Sequence, residues 1–231
     1  DALCKKGLIY FFDLEVFRIE NRQKDSSLKE IVLSEEQQSA CDSLYNEYDS
    51  PFPSVSLLYG VTGSGKTSVF IKLIEKVIDD GKGIIVMVPE ISLTPQFVSQ
   101  FAKRFGDKIA VFHSALSLGE RLDEYKRVKQ GLAQIVIGTR SAVFAPFDKV
   151  GLIIMDEEQE YSYKSESSPR YHAREIAKFR CSYNNALLVL SSATPSIETY
   201  YYAQTGRYSR NTLSARYGKA VLPEVVVADM G

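Results

Sequence analysis

Two short stretches carry residue types whose spacing suits phosphate chemistry. The first is Gly60-Val61-Thr62-Gly63-Ser64-Gly65-Lys66-Thr67, which fits G-x-x-x-x-G-K-[ST]. Glycines at these spacings let backbone N–H groups converge on phosphate oxygens, and a helix opening near Lys66 turns the positive end of its dipole toward them. On this reading Gly60, Thr62, Gly63, Ser64 and Gly65 cradle the phosphates of ATP, Lys66 reaches the β- and γ-phosphates, and the Thr67 hydroxyl ligates Mg2+. A ligand-free Gly-Ser turn is the plain alternative. It is disfavoured because an apolar run, Val55 to Tyr59, precedes the loop and a helical pattern (Val69, Leu73 and Val77 beside Phe70, Ile74 and Ile78) follows it.

The second stretch is Leu152-Ile153-Ile154-Met155-Asp156-Glu157-Glu158-Gln159. Four apolar residues ending in carboxylates put Asp156 at the C-terminal end of a strand, where doubly wound sheets bind their ligands. Asp156 is expected to hold Mg2+ through water and Glu157 to polarise the attacking water. Alone this is an ordinary acidic strand end. Downstream of a phosphate loop it reads as the second half of a Mg-ATP site, and the two halves do not yet separate a motor from a nucleotide kinase.

The elements that must position these groups alternate regularly. Apolar runs at Val55 to Tyr59, Ile84 to Val88, Ile109 to Phe112, Ile135 to Ile137, Leu152 to Met155 and Leu187 to Leu190 are separated by longer helical patterns. Six such strands predict an α/β domain with a mostly parallel sheet covered by helices on both faces. Ser34 with Gln37, and Ser117 with Glu120, match capping boxes, the first opening a helix to about Tyr48. Residues 7–20 partly alternate like a β-hairpin, and residues 21–30 read as a linker.

Composition sets outer bounds. With 28 Lys+Arg against 29 Asp+Glu the chain as a whole gives no support to nucleic-acid binding, so any such claim rests on local features. No apolar run approaches the roughly 18 residues of a membrane span, and no signal-peptide pattern opens the chain, so no membrane partner and a cytosolic origin are expected. Cys4, Cys41 and Cys181 lie far apart without a C-x-x-C pair, which argues against zinc or a disulfide framework in this chain.

Further segments in a fixed order resemble superfamily 2 helicases, and within them the primosomal replication-restart helicases. They are Gly60 to Thr67, Val88-Pro-Glu-Ile-Ser-Leu-Thr-Pro-Gln96, His113-Ser-Ala-Leu-Ser117 with Gly119-Glu-Arg-Leu122, Ile137-Gly-Thr-Arg-Ser-Ala142, Asp156-Glu-Glu158, Arg170-Tyr-His-Ala-Arg174 and Ser192-Ala-Thr-Pro195. The resemblance implies a RecA-like first helicase lobe over residues 25–215, the tail of a winged-helix domain and linker over 1–24, and a linker toward a second lobe over 216–231. It implies a 3′-to-5′ DNA helicase acting at stalled forks, with zinc held in the second lobe. Expected partners are forked and single-stranded DNA, other primosome proteins and single-strand-binding protein, in the cytoplasm at the nucleoid.

By the same resemblance Gln37 reads adenine, although a capping role explains it equally well. Gln159, Ser192 and Thr194 couple phosphate release to lobe movement. Thr94, Thr139, Arg140 and Ser141 contact DNA phosphates, with Thr94-Pro95 also reading as an N-cap and N1 proline. Tyr161, Tyr163, Lys164 and Arg170 belong to an aromatic-rich loop like the one that senses DNA in replication-restart and RecQ-type helicases, and aromatics interleaved with cations suit base stacking. Helix-surface charges beside core tyrosines are the alternative for that loop. Two positions depart from the family: Gln159 stands where histidine is usual and Pro169 where tryptophan is usual. Rival readings are another superfamily 2 translocase of the restriction-enzyme type and a non-enzymatic docking module.

Overall fold

The computed structural model of the chain describes residues 2–8, 10, 17–18 and 22–216. A short helix α1 (Ala2–Lys5) opens it; most of the hairpin expected over residues 7–20 (9, 11–16 and 19–20), and the linker over 216–231 beyond its first residue, lie outside the described residues. Helix α2 (Glu35–Tyr48) begins where Ser34 and Gln37 cap each other: Ser34 Oγ accepts from Gln37 N at 3.3 Å and Gln37 Oε1 accepts from Ser34 N at 3.0 Å. Then β1 (Ser54–Gly60), α3 (Lys66–Asp79), β2 (Gly83–Met87), α4 (Pro95–Phe105), β3 (Ile109–Phe112), α5 (Leu118–Lys129), β4 (Ile135–Gly138) and β5 (Val150–Met155) alternate. A two-strand ribbon, β6 (Lys164–Ser165) against β7 (Tyr171–His172), precedes α6 (Ala173–Asn184), β8 (Leu187–Ser192), α7 (Ile197–Gln204) and β9 (Ser209–Leu213).

The main sheet has seven strands in the order β3-β4-β2-β5-β8-β1-β9, and every neighbouring pair is parallel. Each residue of β2, β4, β5 and β8 is buried, because helices cover both faces and leave no solvent side to alternate toward. Alternation survives in the core instead. Ile84, Val86, Leu152 and Ile154 pack with α2, α3 and α4, whereas Ile85, Met87, Ile153 and Met155 pack with α6, Tyr163 and Tyr208.

Each of the six strands read from the sequence is present, and β9 is an addition. Its sequence, Ser-Arg-Asn-Thr-Leu, is polar because it closes one edge and turns only Asn211 and Leu213 inward, with Asn211 Nδ2 donating to Ser56 Oγ at 2.9 Å. No helix among the described residues is long and apolar enough to cross a membrane.

The stretch read as a linker is docked along the opposite edge. Arg22 Nη1 donates to Ile109 O at 2.6 Å, its Nη2 meets Glu124 Oε1 at 2.9 Å, and Asp25 N donates to Lys103 O at 2.7 Å. Glu124 is 1% exposed; it also accepts from Val111 N at 3.0 Å and from Arg127 Nη1 at 2.6 Å. Removing this carboxylate strands two cations, Arg127 being itself only 8% exposed. We therefore expect Glu124→Leu to lower stability by roughly 3–5 kcal/mol, the usual cost of breaking a buried pair on one side. A urea-unfolding midpoint equal to that of the parent would contradict this.

Candidate active site

β1 delivers the chain into the phosphate loop at Gly60, where a side chain has no room: a Cβ would lie 2.6 Å from Ser64 Oγ and 3.1 Å from Leu213 Cβ. Gly65 caps α3 at φ 80°, a conformation open to glycine, and contributes no side-chain bond to the helix start. The first N–H groups of α3 therefore have no side-chain cap. Ser64 Oγ is buried without a hydrogen-bond partner, and Lys66, 9% exposed, donates from Nζ to Gly60 O at 2.9 Å. Uncapped donors, an orphaned hydroxyl and a confined cation fit a polyphosphate. Gln37 touches this loop from behind: its Nε2 donates to Ser64 O at 2.8 Å while its Oε1 serves the cap of α2. Both ends of the amide expected to read adenine are thus engaged within the protein.

Asp156 follows β5 directly. Its N–H donates to Met87 O at 2.9 Å, and its Oδ1 accepts from Ser191 Oγ at 2.8 Å. Burial pushes its carboxyl above the ordinary range, against the opposing hydrogen bond from Ser191. Glu157 sits at φ 45°, a left-handed conformation that costs a non-glycine residue about 1–3 kcal/mol and persists only where neighbours impose it. Its Oε1 lies 3.9 Å from Lys66 Nζ, and its Oε2 accepts from Gln159 Nε2 at 3.0 Å. Gln159 Oε1 accepts in turn from Ser192 Oγ at 2.6 Å, and Ser192 Oγ accepts from Thr194 N at 2.8 Å. The structure thus brings Lys66, Glu157, Gln159, Ser192 and Thr194 into one connected line. Mg2+ takes few protein ligands beside phosphate and water, so a hydroxyl at Thr67 and a carboxylate at Asp156 are a suitable donor set.

The expected DNA contacts are brought together in part. Arg140 Nη1 donates to Lys164 O at 2.8 Å and thereby ties the Ile137 to Ala142 segment to the aromatic loop. Tyr161 is 62% exposed, with Lys164 Nζ 5.5 Å from its ring centroid and its hydroxyl donating to Glu166 Oε1 at 2.5 Å. Arg170, Ser141 and Thr94 are exposed, Thr94 Oγ1 capping α4 by accepting from Phe97 N at 3.2 Å. Two expectations need correction. Tyr163 is 1% exposed and donates its hydroxyl to Asp156 O at 2.6 Å, so it is a core residue that braces the carboxylate turn and has no face for a base. Thr139 is 5% exposed, which leaves Arg140 and Ser141 as the accessible groups of that segment. Three further cations that follow the loop are committed within the protein. Arg180 Nη1 donates to Val143 O at 2.6 Å and Ala145 O at 2.9 Å, Lys178 pairs with Glu175 at 2.8 Å, and Arg174 is turned inward.

Sequence reasoning passed over Glu158. Its side chain is fully enclosed and carries the inward Arg174 at 2.9 Å; the residues are sixteen positions apart and share no local spacing that would have paired them.

A parallel sheet with a phosphate loop after β1 and a catalytic-type carboxylate pair after β5 defines a RecA-like nucleotide-binding lobe, with helicases among its structural neighbours. The DEAD/DEAH box helicase model matches residues 34–201, and the chain belongs to that family. The chain is 46% identical over 230 residues, 99% of its length, to the replication restart protein PriA of Bacillus subtilis (strain 168). It is 46% identical over 199 residues, 86% of its length, to PriA of Treponema pallidum (strain Nichols). The chain spans 29% and 30% of the length of these two relatives. Among solved structures it is similar in fold to RecG bound to a three-way DNA junction, with TM-score 0.61 and 23% identity over 83% of this chain and 25% of that one. The DNA-bound DUF1998 helicase MrfA gives TM-score 0.55 at 16% identity, covering 80% of this chain and 27% of that one.

Burial separates the two tyrosines in a measurable way. Tyr163→Ala opens a cavity and is expected to cost roughly 3–5 kcal/mol, as other buried large-to-small aromatic changes do. Tyr161→Ala should stay within about 0.5 kcal/mol of the parent, as exposed changes do. Equal denaturation midpoints for the two variants would refute the assignment of Tyr163 to the core.

Proposed function

We propose that the chain is the ATP-binding first lobe of a 3′-to-5′ DNA helicase that couples ATP hydrolysis to unwinding at stalled replication forks. Residues 25–215 form the lobe on this reading, with 1–24 the end of an upstream domain and 216–231 leading to a second lobe. The observation that carries it is the line from Lys66 through Glu157, Gln159 and Ser192 to Thr194, which ties the hydrolytic carboxylate to the segment expected to govern lobe movement. Identity of 46% to two replication restart proteins across most of the chain supports this branch over a restriction-type translocase.

Each group has a role that follows from its surroundings. Lys66 supplies positive charge to the β- and γ-phosphates of ATP, and the Thr67 hydroxyl and Asp156 carboxylate are placed to hold Mg2+. Bound Mg2+ would offset the charge of the transferred phosphoryl group. Glu157 accepts the proton of the attacking water, held ready by the Gln159 amide. Gln37 supports the phosphate loop through its bond to Ser64 O. Thr94, Arg140, Ser141, Tyr161, Lys164 and Arg170 form the DNA-facing set, with phosphate contacts that position the strand and one ring for stacking. Other primosome proteins and single-strand-binding protein are the further partners on this reading, in the cytoplasm.

In the full-length protein Lys66→Ala should abolish ATP hydrolysis, because no other cation of the loop reaches the terminal phosphates. Glu157→Gln should keep nucleotide binding and lose turnover, since it preserves shape and removes the base. Parallel measurements of nucleotide affinity and steady-state hydrolysis test both, and near-normal turnover by the lysine variant would sink the site. Residues 1–231 alone should turn over only slowly, as an arginine from a facing lobe is worth about 10³–10⁵ in kcat in other phosphate-transferring enzymes. Robust DNA-stimulated hydrolysis by the lobe alone would refute the two-lobe reading.

A further inference from the structure

The carboxylate beside the proposed base is saturated with partners. Glu158 Oε1 accepts from Ser196 N at 2.6 Å, and Oε2 accepts from Arg174 Nη1 at 2.9 Å, Thr199 Oγ1 at 3.1 Å and Ser196 Oγ at 3.2 Å. Arg174 spends its remaining reach on the same place: Nη1 also meets Ser196 Oγ at 3.0 Å and Thr199 Oγ1 at 3.1 Å, and Nη2 meets Glu198 Oε2 at 2.6 Å. Side-chain exposure is 12% for Arg174 and 0% for Glu158.

Three elements meet at this pair. Glu158 belongs to the turn after β5. Arg174 stands in the first turn of α6, two residues after β7 ends at His172, whose Nδ1 accepts from Arg174 N at 3.2 Å. Ser196 caps α7, immediately beyond Thr194 and Pro195. β7 pairs Lys164 with His172, and Lys164 O receives Arg140, so a shift of the ribbon would be carried to Arg174 through the three consecutive residues 172–174. On the other side Glu158 shares a peptide bond with Glu157, whose left-handed backbone is held between Asp156 N donating to Met87 O and Glu158 N donating to Ser191 O.

We propose that Glu158 and Arg174 are positioning residues through which the Lys164–His172 ribbon, when it engages a single strand, sets the geometry of the Glu157 base and of the Ser192–Thr194 segment. Stability alone gives a poor account of the pair, since a buried ion pair replaced on both sides is often neutral for folding. Its partners are distributed over the three segments that a DNA signal must join, and the bidentate reach of arginine is what allows one side chain to hold Glu158 and Glu198 together. The inference rests on the helicase reading above.

The test uses the full-length protein and steady-state ATP hydrolysis with and without single-stranded DNA, alongside thermal melting. The double variant Glu158→Gln/Arg174→Met leaves no buried charge unpaired, and its melting temperature should stay within a few degrees of the parent. Its DNA-stimulated kcat should fall by about ten-fold or more while the nucleotide KM stays within about two-fold, the pattern of lost transition-state geometry with intact binding. Arg174→Lys keeps the charge and loses the fork, and should fall between the parent and the double variant. Full stimulation in either folded variant would overturn the proposal, as would turnover that declines only in step with folded protein. A parent protein whose hydrolysis ignores DNA would overturn the helicase reading itself, which a stimulated parent with unaffected variants would leave standing.

Discussion

Every strand of the main sheet runs the same way, and the site depends on that constraint. Parallel pairing sends each connection back across a face of the sheet, so helices cover both faces and all strand ends of one kind gather at one edge. The register places Tyr59 opposite Ser192, and Met87 opposite both Met155 and Gly138. The residues that follow these ends, the phosphate loop from Gly60, the carboxylates from Asp156 and the Ser192–Thr194 segment, become neighbours although long stretches of sequence separate them. No local interaction could assemble them. Their proximity is a property of strand order, in which β5 and β1 flank β8.

The same burial sets the electrostatics of that edge. The Asp156 carboxyl has lost most of its water and is pushed up accordingly, while Ser64 Oγ lies enclosed without a partner. Left in this condition, the Ser64 hydroxyl destabilises the free lobe by about 1–3 kcal/mol, the desolvation cost of a donor or acceptor that finds no partner. A ligand carrying phosphate oxygens would give that hydroxyl a partner in a medium where charge–charge attraction is stronger than in water. The carboxylate turn is the converse. Its left-handed residue, Glu157, is flanked by Asp156 and Glu158, each fixed by a backbone bond to a different strand, and Tyr163 closes the turn from below through Asp156 O. Strain at Glu157 is held by saturation around it.

What the sequence made legible was whatever a short window contains. The capping boxes at Ser34 and Ser117 are written in residues three apart and the N-cap at Thr94 in the adjacent Thr94-Pro95 pair, and all three are present. Buried strands appear as apolar runs because both their faces are covered, whereas β9 escaped notice because an edge strand with two inward residues has neither an apolar run nor a clear alternation. The pairing of Glu158 with Arg174, and the capture of the Lys164 carbonyl by Arg140, were invisible for a different reason. Their partners are brought together by tertiary packing and follow no period. Tyr163 was misjudged because aromatics among cations look alike on a surface and in a core. In the tight turn Tyr161–Tyr163 the two rings point to different environments, one exposed and one enclosed.

The amide at position 159 departs from the family pattern and still links Glu157 to Ser192. A link from Glu157 to Ser192 needs a donor at one end and an acceptor at the other, and the Gln159 side chain has both, with Nε2 toward the carboxylate and Oε1 toward the hydroxyl. A neutral histidine can meet that demand in one tautomer only, and near neutrality it takes up a second proton that turns its acceptor into a donor. Glutamine has no such transition. The hydrogen-bond direction from Thr194 through Ser192 to Glu157 is therefore independent of pH over the range in which an imidazole would titrate. On the proposed coupling role, changes in this line would then come from displacement of the segments themselves rather than from proton uptake at position 159.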